Sequence, residues 1–69
     1  MRYSELTRKL RRLGIDFRRQ ARGSHEIWRD PKRKLYTVIP SHPGREISKG
    51  TLARILKDLG LKEEDLEGL

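Results

Sequence analysis

Two histidines and the basic residues around them are the side chains in this 69-residue sequence best suited to acid–base chemistry. His25 directly follows Arg22, Gly23 and Ser24, whereas His42 lies in a Pro-containing segment further along the chain. Imidazole can accept or donate a proton near neutral pH. Guanidinium and ammonium groups can stabilise the charge of a phosphate. Such a set suits cleavage of RNA, because RNA carries its own nucleophile, the 2′-hydroxyl.

The residues beside His25 and at the start of a later helix could hold the phosphate. Glycine has no Cβ, so Gly23 would let the backbone approach a phosphate closely. Lys49 falls in the first turn of a predicted helix, where the helix dipole disfavours a cation unless an anion binds there. We predict phosphate contacts from Arg22, Gly23, Ser24 and Lys49. His42 is a further candidate, as a second proton donor, a substrate contact or a hydrogen bond that fixes its loop, but a structural role is favoured over these. The alternatives are that His25 is merely a polar residue at a strand edge and that Lys49 is an ordinary exposed lysine.

No other catalytic arrangement is visible in the sequence. The two histidines lack HxH or HxxxH spacing and the acidic residues are most concentrated near the end of the chain, so we expect no metal and no cofactor. There is no Walker loop and no GxGxxG. Ser24 and His25 are adjacent and would point to opposite faces of a strand, which argues against a Ser-His hydrolase. Trp28 could stack on a base, but a packing role is favoured.

The net charge of +7 is unevenly distributed along the chain. Residues 1–22 carry eight basic and two acidic side chains, residues 23–50 carry six and three, and residues 51–69 carry three and five. The basic excess in the first two-thirds favours a polyanionic partner such as RNA. A generally soluble surface, or the charge density of a thermophilic protein, would explain the same composition.

Length and composition limit the class of protein further. We expect a single domain over residues 1–69, with a thin core and a large partner bound on the surface. The chain has no cysteine, which excludes disulfides and thiolate metal sites and agrees with a reducing cytoplasm. No signal peptide and no apolar run near the roughly 20 residues of a membrane span is visible. We therefore expect a cytoplasmic protein without membrane contact.

The first 14 residues predict an amphipathic helix. Ser4 can cap it by accepting a backbone hydrogen bond, and Leu6, Leu10 and Leu13 form its apolar stripe. The pair Gly14-Ile15 can end the helix and cover its last turn. Basic side chains lie opposite the leucines and lack acidic partners one turn away in the helix, so we expect them to steer RNA. These are Arg8, Arg11 and Arg12.

The middle of the chain predicts three strands. Alternation over residues 15–20 predicts a half-buried strand with Ile15 and Phe17 on its inner side. Residues 25–29 and 35–39 predict the second and third strands, joined by turn formers at 30–34. An antiparallel meander is the expected arrangement.

A second helix should follow the sheet. Ser48 can cap it, and its apolar stripe consists of Leu52, Ile55, Leu56 and Leu59. Gly60 can end it, and residues 62–67 form either a short helical turn or a frayed tail. The fold class is therefore α+β in the order α-β-β-β-α, with both helices on one face of the sheet and the other face open.

Several motifs, in this order, resemble those of the HicA toxin family. They are Arg22-Gly23-Ser24-His25, then Val38-Ile39-Pro40 followed by His42, then Ser48-Lys49-Gly50-Thr51-Leu52. The resemblance covers nearly the whole chain. It departs from the family pattern at Gly14-Ile15, where an aromatic residue often follows the glycine, and at Glu26. We expect Glu26 to point away from His25 and to leave the site undisturbed.

The resemblance implies a double-stranded-RNA-binding-domain-like fold and metal-independent mRNA interferase activity that inhibits translation. It also implies that His25 is the catalytic histidine and that a HicB-type antitoxin covers it in the resting complex. No direct DNA binding is expected, since the second helix buries one face and presents mixed charge on the other. The main alternative is a non-catalytic RNA-binding module of the same fold.

Overall fold

The computed structural model describes all residues 1–69. The chain forms, in order, α1 Tyr3–Arg12, β1 Asp16–Gln20, β2 His25–Asp30, β3 Leu35–Pro40, α2 Lys49–Asp58, and a 3-10 turn at Glu63–Leu66. The strands form one antiparallel sheet in the order β1-β2-β3. The fold is α+β in the predicted order α-β-β-β-α, consistent with a double-stranded-RNA-binding-domain-like fold.

The two faces of the sheet differ sharply in burial. What we call the covered face consists of Glu26, Trp28 and Asp30 on β2 with Leu35, Thr37 and Ile39 on β3. The open face consists of His25, Ile27, Arg29, Tyr36, Val38 and Pro40, all exposed or half-buried. The core comprises Leu6, Leu10, Ile15, Trp28, Ile39, Ile55, Leu56, Leu59 and Leu66. Both helices therefore pack on one face, as predicted.

The start of α1 differs from its prediction. The helix begins at Tyr3, one residue before Ser4, which lies inside the first turn and caps nothing. Arg2 occupies the capping position with an extended backbone and makes no side-chain cap bond. The backbone of Arg2 instead forms an isolated bridge with Glu46. Tertiary pairing of the preceding residue thus sets where this helix starts.

The end of α1 explains why one predicted core leucine is partly exposed. Leu6 and Leu10 are fully buried, but Leu13 is 37% exposed. Leu13 lies past the last helical residue, and Gly14 then adopts a φ of +84°. That turn brings Ile15 into the core, where its amide donates to the Leu10 carbonyl at 2.9 Å. The chain therefore buries Ile15 in place of the third leucine of the stripe.

The prediction of a half-buried first strand over residues 15–20 is correct only for Ile15. All five residues of β1 are exposed, and Phe17 is 47% exposed. The pairing of β1 with β2 shifts between Phe17 and Arg19, so the strand carries a bulge and strict alternation is lost. β1 is also an edge strand, and only the edge of the Phe17 ring contacts Trp28, with centroids 6.1 Å apart.

The second helix follows its prediction closely. The Ser48 hydroxyl accepts a hydrogen bond from the Thr51 amide at 3.3 Å, which caps α2. Three residues of the apolar stripe are buried and Leu52 is half-buried. Gly60 ends the helix with a φ of +64°. The following segment is a helical turn with Leu66 buried, which resolves the alternative that the sequence left open.

The turn between β2 and β3 is organised by Asp30. Its carboxylate accepts hydrogen bonds from the amides of Lys32 at 3.1 Å and Arg33 at 3.3 Å, and pairs with the Arg33 Nε at 3.0 Å. The Arg33 guanidinium also donates to the Leu59 carbonyl, which ties this turn to the end of α2. Burial opposes ionisation of Asp30, but these hydrogen bonds outweigh it and hold its pKa below the usual value.

Candidate functional site

His25 is the first residue of β2 and is exposed on the open face. It lies opposite Pro40, near the end of β3. The next residue, Glu26, faces the other way and accepts hydrogen bonds from the Tyr3 hydroxyl and from the Trp28 indole nitrogen at 3.0 Å. The expectation that Glu26 points away from His25 is therefore confirmed. Burial and the bond to Glu26 raise the pKa of Tyr3.

The turn that precedes His25 is held by a small hydrogen-bond network. The His25 amide donates to the Arg22 carbonyl at 3.0 Å, and Gly23 adopts a φ of +58°, which favours glycine. The Gln20 side-chain amide donates to the carbonyls of Gly23 at 2.9 Å and His25 at 3.1 Å. Gln20 was not singled out from the sequence, because nothing local marks an amide that spans two carbonyls across a turn. The network fixes the backbone on which His25 and Ser24 sit.

His42 comes close to the same turn from the loop after β3, at the same end of the sheet. Its Nε2 lies 3.3 Å from the Ser24 Oγ, within hydrogen-bond distance. The Ser41 amide also donates to the Ser24 carbonyl at 2.7 Å. Ser24 thus joins the loop after β3 to the turn before β2. Both histidines of the chain adjoin this serine, one as its neighbour in sequence and one through its side chain.

A cleft of 210 Å³ opens beside His42 at the N-terminal end of α2. Its lining residues are Pro40, His42, Arg45, Glu46, Ile47, Ser48 and Thr51. Lys49 is exposed and begins α2 directly after Ser48. Glu46 is paired with the Met1 α-amino group, whose hydrogen bond lowers the pKa of this carboxyl. The one carboxylate of the cleft is therefore already matched by a positive charge.

The α1 arginines are all exposed, as predicted, but at least one of them contacts the covered face of the sheet rather than the face that carries His25. The Arg11 guanidinium lies over the Trp28 ring, 5.0 Å from its centroid, against the covered face. Arg8 donates to the Leu69 carbonyl at 3.4 Å, and Arg12 forms no ion pair. Arg11 therefore has a packing contact that the sequence did not indicate. The two residues are far apart in the sequence, and no local pattern predicts that they meet.

The structure thus brings Ser24, His25 and His42 together and places Arg22 and Gly23 in the same turn. Lys49 is not brought to this turn: it does not line the cleft itself and lies next to Ser48 at the start of α2. No group of three or more His, Cys, Asp or Glu side chains is arranged to hold a metal ion. Neither helix has the length and apolar composition needed to cross a membrane.

The fold and the exposed histidine turn define a small basic α+β protein. Residues 3–61 match the family model described as HicA toxin of bacterial toxin-antitoxin. A curated relative from Pseudomonas fluorescens (strain Pf0-1), named probable mRNA interferase HicA, is 36% identical over 63 residues, covering 91% of this chain and 100% of the relative. This chain belongs to the HicA toxin family. No solved structure matches it.

Proposed function

We propose that this protein is a metal-independent endoribonuclease that cleaves mRNA and inhibits translation as the toxin of a toxin–antitoxin pair. The observation that carries the proposal is the position of His25. Its imidazole is exposed at the start of β2, while its backbone is fixed by the Gln20 and Arg22 hydrogen bonds. A side chain that the core does not need, on a rigid support, is suited to act on a bound partner. Family membership and the name of the relative support the same activity.

The turn before β2 provides a base and groups that can contact the phosphate. His25 takes the proton from a ribose 2′-hydroxyl, and the 2′-oxygen attacks the adjacent phosphorus as the bond from phosphorus to the 5′-oxygen breaks. Phosphate charge is stabilised by Arg22, by the Ser24 hydroxyl and by backbone beside Gly23. Lys49 holds a neighbouring phosphate at the start of α2. Arg8, Arg11 and Arg12 contribute long-range attraction for RNA, which acts mainly through the rate of association.

The partners follow from the same site. The substrate is mRNA, bound where its backbone can reach the Ser24 turn. A HicB-type antitoxin would cover His25 in the resting complex and carry any operator binding, so this chain contacts DNA only through it. Because mRNA is translated in the cytoplasm, we expect the protein to act there.

Cleavage of a defined transcript in excess EDTA tests the proposal. We expect the parent protein to cut, and His25→Ala to cut about 100-fold more slowly or worse, because general acid–base groups contribute about 10²–10⁴-fold. Its melting temperature should stay close to that of the parent, since His25 is exposed. Lys57→Ala, an exposed charge at the end of α2, is the control that should keep full activity.

Two results would contradict this assignment. Equal cleavage by His25→Ala and the parent would remove the histidine from the mechanism. Binding of the transcript without any cleavage, unaffected by His25→Ala, would instead identify a non-catalytic RNA-binding module of the same fold.

A further inference from the structure

We propose that His42 is the second proton-transfer residue of this site and protonates the 5′-oxygen that leaves during cleavage. The inference rests on the proposed function, in which His25 takes the proton from the 2′-hydroxyl. It assigns the other half of the proton transfer to the only other imidazole in the chain.

The structure places one histidine within hydrogen-bond distance of Ser24 and the other next to it in the chain. His42 Nε2 is 3.3 Å from the Ser24 Oγ, and His25 is the residue after Ser24. His25 pairs with Pro40 in the sheet, only two residues before His42. The end of β3 thus brings His42 to the Ser24 hydroxyl, and the start of β2 places His25 at the adjacent position of the chain. A phosphate bound at that hydroxyl would have a histidine at hand for the attacking oxygen and another for the departing one.

The loop that carries His42 does not need the imidazole for its shape. The backbone holds this loop through the Ser41 amide on the Ser24 carbonyl at 2.7 Å, and through the Arg45 amide on the His42 carbonyl at 3.0 Å. The Ile47 amide donates to the Met1 carbonyl at 2.8 Å, and Arg2 donates to the Gly44 carbonyl. Because these four hydrogen bonds fix the loop, the exposed His42 imidazole is available for another role.

The surroundings of His42 suit a phosphodiester. The ring lines an open cleft together with Ser48 and Thr51, at the positive end of the α2 dipole. Charged groups in the cleft are Arg45, which attracts phosphate, and Glu46, which is already paired with the Met1 amine. RNA entering this cleft would bring its backbone between the Ser24 turn and α2.

The cleavage reaction needs no reagent other than the RNA, the two histidines and water. The 2′-oxygen forms a bond to phosphorus as the bond between phosphorus and the 5′-oxygen breaks. The 2′-hydroxyl proton moves to His25, and the proton of the His42 imidazolium moves to the 5′-oxygen. The products are a 2′,3′-cyclic phosphate and a free 5′-hydroxyl, and both rings regain their starting state by exchange with water.

Two substitutions separate proton transfer from a structural role. Glutamine can keep a hydrogen bond to the Ser24 hydroxyl but cannot deliver a proton at neutral pH. We expect His42→Gln and His42→Ala to slow cleavage alike, by about 100-fold, with melting temperatures close to that of the parent. If glutamine restores the parent rate and alanine does not, the ring serves only to hold Ser24.

A modified substrate gives the decisive measurement. RNA with sulfur in place of the 5′-bridging oxygen at the scissile bond has a leaving group that needs no proton. We expect this substrate to bring His42→Gln to within a few-fold of the parent rate, and to leave His25→Ala slow because the attacking oxygen still needs its base. An equal defect of His42→Gln on both substrates overturns the assignment.

These outcomes also separate this inference from the proposed function. A parent protein that cuts, a His25→Ala variant that does not, and a fully active His42→Gln variant would overturn the role of His42 alone. A parent protein that cuts neither substrate would overturn both.

Discussion

Neighbouring residues of one strand have different roles because they lie on opposite faces of the sheet. Along β2, Glu26 and Trp28 on the covered face are tied to each other and to α1, whereas His25 and Arg29 on the open face take no part in the core. No buried side-chain polar atom lacks a hydrogen-bond partner. The polar groups of the covered face are thus satisfied internally. Those of the open face and its adjoining loops remain available to a partner.

This contrast implies that stability and activity depend on different residues that alternate in sequence. A substitution on the covered face should change the free energy of unfolding and leave the chemistry of the remaining folded protein intact. A substitution at His25 or His42 should do the opposite. Substitutions on the two faces can test that separation.

Trp28→Ala should cost about 3–5 kcal/mol of stability, the usual range for removing a large buried aromatic side chain. Trp28 is fully buried, and its ring contacts Phe17 and the Arg11 guanidinium. A domain of this size has little stability to lose. We expect the variant to be largely unfolded at 25 °C by circular dichroism, and Trp28→Phe to keep the fold with a lower melting temperature. A folded Trp28→Ala protein would show that the covered face is not the main source of stability.

Glu26→Ala should cost about 1–3 kcal/mol, because it leaves the Tyr3 hydroxyl and the Trp28 indole N–H without their acceptor. The cleavage rate per folded molecule should not change, since the carboxylate lies on the face opposite His25. Urea unfolding and a cleavage assay at a temperature where the variant is folded measure the two quantities separately. Glu26→Gln keeps one acceptor and should lose less stability. A slower rate in the folded variant would mean that Glu26 does act on His25.

Most of this fold could be predicted from the sequence because its signals are local. The Ser48 cap, the apolar stripe of α2 and the turn at Gly60 each depend on residues within a few positions, and all three predictions are confirmed. The errors occur where distant residues decide. Arg2 pairs with Glu46 and moves the start of α1, and a bulge against β2 exposes β1.

The predictions for the candidate site show the same difference between local and long-range contacts. The Gly-Ser-His sequence singled out His25 and the residues before it, because they are contiguous. The contact between Ser24 and His42 spans 18 residues and depends on β2 pairing with β3. The sequence therefore offered three roles for His42 and ranked them below a structural one. The Arg11 contact with Trp28 and the hydrogen bonds of the Gln20 side chain were missed for the same reason. Predicting these contacts would require knowing how the strands pair.

Stability should fall in acid, and Asp30 should account for part of that fall. Its pKa is lower in the folded protein than in the unfolded chain, so its contribution is complete above the unfolded value and is lost as the pH drops through the folded value. We expect the melting temperature to decrease below about pH 4, near the ordinary aspartate value. Asp30→Asn should be less stable than the parent at neutral pH and should show a shallower decrease. Parallel melting curves for the two proteins across that range would contradict this role.

Tyr36→Ala should have the smallest effect on stability, and it is the matched counterpart of Trp28→Ala. Tyr36 is an aromatic residue of the adjacent strand, but it lies on the open face and is 63% exposed. Surface substitutions that break no specific contact usually change stability by no more than about 0.5 kcal/mol. Urea unfolding of the two alanine variants side by side compares the faces directly. A loss from Tyr36→Ala approaching that from Trp28→Ala would mean that the open face is packed in solution, for example against a second copy of the chain, and a dependence of the unfolding midpoint on protein concentration would identify that case.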